Sequence, residues 1–167
     1  MVNIDNIRKI VKKLKEKYGT NDPFILAKKL KIDIIYDDIG DISGLYKICV
    51  RRKYIVLSYN LEDDDSIYLV LLHEIGHCIM HKFLRPQFKI GSHILPKGSI
   101  YETEADLFAL EFLGSDFYIE NIEKSGIKEK RFRNLENIIR EYYKKNSPCW
   151  SQELFSIQLT KVNCTTM

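Results

Sequence analysis

Residues 66–82 constrain the fold more than any other segment, because they combine a nearly continuous apolar surface with three chemically active side chains. Apolar residues flank the centre of this segment on both sides. A run of this length and hydrophobicity predicts a helix that is buried on most sides. Buried polar side chains must be paired or bind a metal, so a functional site is predicted inside the core. The three side chains are those of His73, Glu74 and His77.

The two histidines are four residues apart, which places them one turn apart on the same face of a helix. Both imidazoles are then close enough to bind one metal ion. In zinc proteases, a glutamate at the position of Glu74 takes a proton from the attacking water. A hydrolytic zinc site has three protein ligands and a water, so one more ligand is needed. Gly76 costs ~1 kcal/mol in a helix interior relative to alanine, which indicates that a strand or a substrate passes close to the backbone there.

A second helix, predicted over residues 100–113, supplies acidic candidates for the third ligand. Glu102 and Asp106 are four residues apart and share one face of this helix. One of them is expected to bind the metal, while the other accepts a hydrogen bond from a ligand histidine and fixes its tautomer. Glu104 is turned ~200° from Glu102 around the helix axis, which predicts a solvent-facing side chain.

Other histidines and tyrosines are candidates for supporting roles. His81 stands eight residues, ~12 Å along a continuous helix, from His73. One ion cannot reach His73, His77 and His81 together over that length, so we predict that His81 is packed or hydrogen-bonded. A hydrolytic site also needs a donor for the oxyanion that forms in the transition state. The sequence does not choose among the candidates, which are His93, Tyr46 and Tyr101.

The rest of the chain predicts helices at both ends and a few short strands between them. Amphipathic periodicity predicts a first helix over residues 3–18, which Gly19 ends, and Asp22 followed by Pro23 predicts the start of a second. This order predicts an α+β fold, with a small mixed or antiparallel sheet packed on the histidine-bearing helix and further helices towards the C-terminus. The other predicted elements are strands at 31–36, 45–50 and 54–59, a turn at 51–53, a loop at 85–99, and helices at 116–124, 128–143 and 151–159.

Composition argues against several classes of protein. The length of 167 residues fits one domain, and a hydrophobic content of 45% is enough for a core. A formal net charge of only +3 gives no argument for direct nucleic-acid binding. The sequence shows no targeting segment and no apolar run long enough for a bilayer, which predicts a cytoplasmic protein without membrane contact. The four cysteines form no Cys-x-x-Cys pair, which favours free thiols over a zinc ribbon.

Two motifs in the chain match those of one known family. They are Leu71-Leu72-His73-Glu74-Ile75-Gly76-His77, with His81 following, and Glu102-x-x-Ala105-Asp106-x-Phe108-Ala109. Together with the opening helices and the hairpin, they make residues 1–115 resemble the ImmA/IrrE metallopeptidases. The resemblance implies a gluzincin-like minimal metalloprotease with one zinc ion, bound by His73, His77 and Glu102. It also implies that Glu74 is the catalytic base and that Asp106 supports the site.

The resemblance implies a substrate class as well. Members of this family that are encoded by mobile elements and phages act as anti-repressors. They cleave a helix-turn-helix repressor encoded nearby and so release mobile-element genes, and other members act on a repressor of stress genes. We expect an extended substrate to add to the strand at 45–50 as an edge strand. The family often carries a Leu-Leu-x-Pro stretch where this chain has Phe112-Leu113-Gly114-Ser115, a departure that leaves the metal ligands intact.

The sequence leaves two questions of organisation and function open. We predict a metallopeptidase core over residues 1–115 and a helical extension over residues 116–167 that packs on the same domain and contributes to substrate selection. The alternative to an enzyme is a non-catalytic regulatory protein, which binds a repressor or acts in a toxin–antitoxin pair and holds a structural zinc. The intact Glu74 argues against that alternative, because a purely structural zinc site has no use for a base. An aminopeptidase is disfavoured because no acidic cluster for a substrate amine stands out.

Overall fold

The computed structural model describes residues 2–61, 64–81, 100–114, 137–138 and 141. The chain divides into two compact units, Met1–Glu129 and Lys130–Met167, and the fold and site below lie in the first. The domain boundary predicted at residue 115 stays a prediction. The helix predicted at 128–143 is described at residues 137, 138 and 141, which are helical. The predicted elements that lie outside the described residues are the loop at 85–99 and the helices at 116–124 and 151–159.

Two helices open the chain, both with the caps that the sequence predicts. Helix α1 (Ile4–Tyr18) ends at Gly19, which adopts a left-handed conformation with φ 61°. Helix α2 (Pro23–Lys29) begins after Asp22, whose carboxylate accepts the backbone N–H groups of Phe24 at 2.7 Å and Ile25 at 3.2 Å. The Asp22 carboxylate thus satisfies two backbone donors that the first turn of a helix leaves unpaired, whereas the N–H of Gly19 donates to the last turn of α1 at Lys15 O.

A mixed three-stranded sheet follows, which confirms the α+β prediction. Its strands are β1 (Ile32–Asp37), β2 (Gly44–Cys49) and β3 (Arg52–Ser58), in the order β1-β3-β2. Strand β3 is central, parallel to β1 and antiparallel to β2. Its second half is buried, whereas β2 lies at an edge of the sheet.

The turn between β2 and β3 is shorter than predicted. Cys49 pairs directly with Arg52, so only Val50 and Arg51 form the turn, and the predicted turn at 51–53 is wrong. Both turn residues have positive φ, 46° and 64°, as a two-residue type I′ hairpin requires. Asn-Gly is the usual sequence for this turn, and Val50-Arg51 lacks that signal.

Helices α3 (Asp64–Met80) and α4 (Ile100–Leu113) pack against each other, and α3 also contacts β2 and β3. Gly76 is the point of closest approach, because a Cβ there would lie 3.2 Å from the Cα of Ala105 and 3.3 Å from the Cβ of Phe108. The element that packs closely on Gly76 is therefore α4, and the prediction that a strand or a substrate passes there is wrong. Within the described residues, no helix combines the length and the apolar character needed to cross a bilayer.

Candidate metal centre

The packing of α3 on α4 brings the three predicted metal ligands together. The two histidine Nε2 atoms, of His73 and His77, lie 3.0 Å apart. The carboxylate of Glu102 lies 3.3 Å from His77 Nε2 through one oxygen and 3.6 Å from His73 Nε2 through the other. Among the described residues, these three form the one group of ligand atoms that could hold a metal ion, all within 4.8 Å of one another.

The spacing of these atoms fits a tetrahedral ion. Ligand atoms at about 2.0–2.1 Å from a tetrahedral zinc lie about 3.3 Å from one another. The two histidine Nε2 atoms, 3.0 Å apart, and the pair of His77 Nε2 and one Glu102 oxygen, 3.3 Å apart, are close to that value. The side chains of His73, His77 and Glu102 keep 15%, 11% and 15% of their surface exposed. The three side chains are therefore largely buried but still reached by solvent.

Asp106 contacts the site through the Nδ1 side of the His73 ring. Its side chain is 1% exposed, and its Oδ1 lies 2.8 Å from His73 Nδ1. A carboxylate has no proton to give, so the histidine donates from Nδ1, and Nε2 is left with its lone pair directed at the metal position. The sequence left open which of Glu102 and Asp106 is nearer the histidine Nε2 atoms, and the geometry agrees with the assignment that the family resemblance implies.

The charges around the site favour a cation. Burial alone would lower the pKa of His73, but the charge and hydrogen bond of Asp106, with contributions from Glu102 and Glu74, raise it to about 10. Burial would raise the pKa of Glu102, yet hydrogen bonds from His73 and His77 hold that pKa well below its usual range. The metal-free site therefore attracts a proton where the metal would bind.

Glu74 is held beside the ligands by the edge strand. It is buried, and its Oε2 accepts the backbone N–H of Tyr46 at 2.7 Å. Gly44 makes this approach sterically feasible, since a Cβ at that position would lie 2.5 Å from Val70 Cγ1 and 3.2 Å from Glu74 Cγ. Neither contribution is evident from residue types in the sequence, because one is made by a backbone N–H and the other by a missing side chain. A glycine entering a strand beside the motif helix is the one signal that pointed to them.

The hydroxyl of Tyr46, a candidate oxyanion donor, interacts with the thiol of Cys78. Burial, together with a hydrogen bond and charge interaction with Cys78, raises the pKa of the Tyr46 hydroxyl well above its usual range. Cys78 follows His77 and lies about 100° round the helix from it. Tyr46 contributes its backbone N–H to Glu74, and its hydroxyl stays a predicted oxyanion donor. Among the described residues, Cys78 is a buried thiol and Cys49 an exposed one, and neither forms a disulfide, as predicted.

His81 and Glu104 extend the site on the side of His77. His81 is buried and hydrogen-bonded, which confirms the prediction, with its Nδ1 2.9 Å from His77 Nδ1. Its Nε2 lies 3.1 Å from Glu104 Oε2. Glu104 is therefore not the solvent-facing residue predicted from its angle on α4, because that angle ignores where α3 crosses. The Tyr101 ring packs edge-on against His81, with ring centroids 5.1 Å apart.

All three oxyanion candidates remain predictions. Tyr101 lies at the outer edge of the His81 contact and is more than a third exposed. His93 lies outside the described residues.

Comparison with known proteins agrees with this geometry. Residues 27–143 match the model of a peptidase family described as the IrrE N-terminal-like domain. The chain belongs to this family. The match spans well over half of the chain and includes every side chain of the site described above. The family is one of metallopeptidases, so a metal is implied, and His73, His77 and Glu102 are the residues that could hold it.

Two relatives extend the comparison. An immunity region protein of Bacillus phage phi105 is 32% identical over 120 residues, which cover 71% of this chain and 75% of the relative. The metallopeptidase ImmA of Bacillus subtilis (strain 168) is 25% identical over 152 residues, which cover 86% of each chain. The family resemblance inferred from the two motifs is confirmed.

Proposed function

We propose that this chain is a zinc-dependent endopeptidase that cleaves a helix-turn-helix transcriptional repressor. Cleavage would make it an anti-repressor that releases mobile-element or stress genes. The observation that carries the proposal is that His73, His77 and Glu102 offer three ligand atoms within 4.8 Å of one another, with the carboxylate of Glu74 held beside them. Two imidazoles and one carboxylate form a donor set that suits zinc.

Each residue of the site has a separate role in the proposed hydrolysis. A zinc ion held by the three ligands would lower the pKa of a bound water to about 7 and polarise the scissile carbonyl. Glu74 acts as the base, and since its Oε2 accepts the Tyr46 N–H, we assign the proton transfer to Oε1. The same carboxylate then passes the proton to the leaving amine. Asp106 keeps His73 in the tautomer that binds metal.

The edge strand β2 is suited to align the substrate. Cys49 and Arg52 flank a two-residue turn and exchange hydrogen bonds, so in the antiparallel ladder every second residue of β2 faces β3. The backbone groups of Gly44, Tyr46 and Ile48 therefore face away from the sheet, and the Tyr46 N–H reaches Glu74. An extended substrate segment that pairs with this edge lies next to the base.

The two relatives support a repressor as the substrate. One is named a metallopeptidase and the other an immunity region protein of a phage. An endopeptidase encoded with phage immunity functions has a repressor as an expected target, as the family resemblance implies. A repressor is also a partner that a cytoplasmic protein meets, and the net charge of +3 gives no argument for direct binding of DNA.

The test is cleavage of a repressor encoded beside the gene for this chain. We expect the zinc-loaded chain to cut the repressor at one site, and Glu74→Gln to be slower by about 10²- to 10⁴-fold, because the base is lost. Glu111→Gln is the matched control, since it makes the same change on α4 at a carboxylate that pairs with Arg8 rather than with a histidine. Equal cleavage by Glu74→Gln would refute the base. Binding of the repressor without cleavage by the unaltered chain would favour the non-catalytic regulatory alternative.

A further inference from the structure

The two ligand histidines are supported in different ways. His73 reaches a carboxylate directly, through Asp106. His77 instead faces a second histidine, His81, whose other nitrogen faces the carboxylate of Glu104. The metal site thus has two supporting arms. The first arm is the single hydrogen bond between His73 and Asp106, and the second arm is the pair of hydrogen bonds that joins His77 through His81 to Glu104. The second arm has no part in the proton transfers proposed above.

We propose that His81 and Glu104 form a positioning pair that fixes the tautomer and the ring orientation of His77 for metal binding. The inference rests on the proposed metal site and deepens it. A histidine that binds a metal through Nε2 carries its proton on Nδ1. The Nδ1 of His77 therefore donates across 2.9 Å to the Nδ1 of His81.

That donation determines the direction of the second hydrogen bond. With its Nδ1 acting as an acceptor, neutral His81 has its proton on Nε2. This N–H donates across 3.1 Å to Glu104 Oε2, and an ionised carboxylate can only accept. Each link then has one donor and one acceptor, and the direction of the whole chain is set by the carboxylate at its end.

Burial gives the arm its rigidity. The side chain of His81 is 6% exposed, and the Tyr101 ring lies across it. A buried imidazole is expensive unless its nitrogens are paired, so its two hydrogen bonds hold the ring in one orientation. Glu104, at 23% exposed, lies at the edge of the site where its charge is better hydrated. A carboxylate that hydrogen-bonds a ligand histidine typically changes metal affinity by about 10- to 100-fold. Because Glu104 acts through the ring of His81, we expect its effect near the lower end of that range.

The experiment measures the zinc dissociation constant of the full chain by competition with a chromophoric chelator at fixed pH. We expect Glu104→Ala to weaken zinc binding by about tenfold. Glu104→Gln is expected to recover most of that loss, because the amide oxygen still accepts from His81 Nε2. Glu111→Ala, on the same helix, should bind zinc as the unaltered chain does. Unchanged binding in Glu104→Ala, or a Gln variant as weak as the Ala variant, overturns the proposal.

A second measurement avoids substitutions altogether. In the unaltered, zinc-loaded chain, NMR of ¹⁵N-labelled histidines should find the proton of His77 on Nδ1 and that of His81 on Nε2. A proton on Nδ1 of His81 would overturn the proposal, because His81 could not then accept from His77. Failure of the unaltered chain to bind zinc would refute the proposed function together with this inference. Zinc binding that is lost in His77→Ala but unchanged in Glu104→Ala would refute the inference alone.

Discussion

The helix pair α3–α4 and the hairpin β2–β3 both contribute to the metal site, but they do so with different chemistry. The helices provide side chains at four-residue spacing, namely His73 with His77 and Glu102 with Asp106. The hairpin provides a backbone N–H from Tyr46 and the absence of a side chain at Gly44. The comparison teaches that the metal-binding half of the site is encoded by residue type, whereas the alignment of the base is encoded by how closely a strand can approach a helix.

After removal of the base itself, the largest effect we expect comes from the hairpin. In Gly44→Ala the new Cβ would lie 2.5 Å from Val70 Cγ1, so either the Val70 side chain or β2 has to shift. Because a valine in a helix has one strongly preferred rotamer, we expect β2 to move away from α3 and the Tyr46 N–H to move away from Glu74. A displacement of about 1 Å at a reacting group can cost 10²-fold, so we expect cleavage to slow by about that factor while zinc binding is kept. The measurement is peptidase rate beside zinc stoichiometry. The double variant Gly44→Ala/Val70→Ala, which restores the space, should recover activity, and a single variant as active as the unaltered chain would contradict the account.

The next effect concerns the helix pair and should appear in metal affinity. Asp106→Ala removes the acceptor 2.8 Å from His73 Nδ1, so the ring is no longer held in the tautomer that binds metal. We expect zinc affinity to fall by about 10- to 100-fold. Chelator competition measures it, with Glu111→Ala as the control on the same helix. Zinc affinity unchanged in Asp106→Ala would show that Asp106 packs in the core without supporting the ligand.

The pH dependence of zinc affinity also tests the helix pair, through the protonation of His73. In the metal-free chain the pKa of His73 is raised to about 10, so at neutral pH its ring carries a proton that the metal must displace. Zinc affinity should therefore rise with pH between about 6 and 8, by up to about tenfold per pH unit for one released proton. Calorimetry in two buffers of different ionisation enthalpy counts the protons released. Affinity that is flat over this range, with no proton release, would contradict the charge distribution described for the site.

The smallest effect is expected at the tip of the hairpin. Val50 is 88% exposed and has φ 46°, a backbone conformation that a β-branched residue adopts only at a cost. Replacing Val50 and Arg51 with Asn and Gly supplies the residues that a type I′ turn prefers. We expect the free energy of unfolding to rise by about 1 kcal/mol in urea denaturation, with zinc affinity unchanged. A loss of stability would show that the turn is not of this type.

The features that could be predicted from the sequence lie mostly in the helices rather than in the hairpin. The four-residue spacing of His73 and His77 predicted one shared face, and the structure places both beside Glu102. The caps at Asp22 and Gly19 were readable because single residue types favour those positions. Helix geometry alone also ruled out His81 as a ligand.

The features that sequence analysis missed depend on how elements pack. Glu104 was predicted to face solvent because its position on α4 was known but the crossing of α3 was not. The Tyr46 N–H has no residue-type signal, since every residue except proline carries that donor. The turn at Val50 and Arg51 lacked its usual glycine, so the register of β2 against β3 could not be read from the residues.

The central claim is that His73, His77 and Glu102 hold one catalytic metal ion. Elemental analysis of untagged protein, with His77→Ala and Glu74→Gln purified beside it, tests this claim directly. The account predicts about one zinc per chain in the unaltered protein and in Glu74→Gln, and loss of that zinc in His77→Ala. Absence of metal from the unaltered chain after zinc is supplied and the excess removed, or full retention of zinc by His77→Ala, would contradict it.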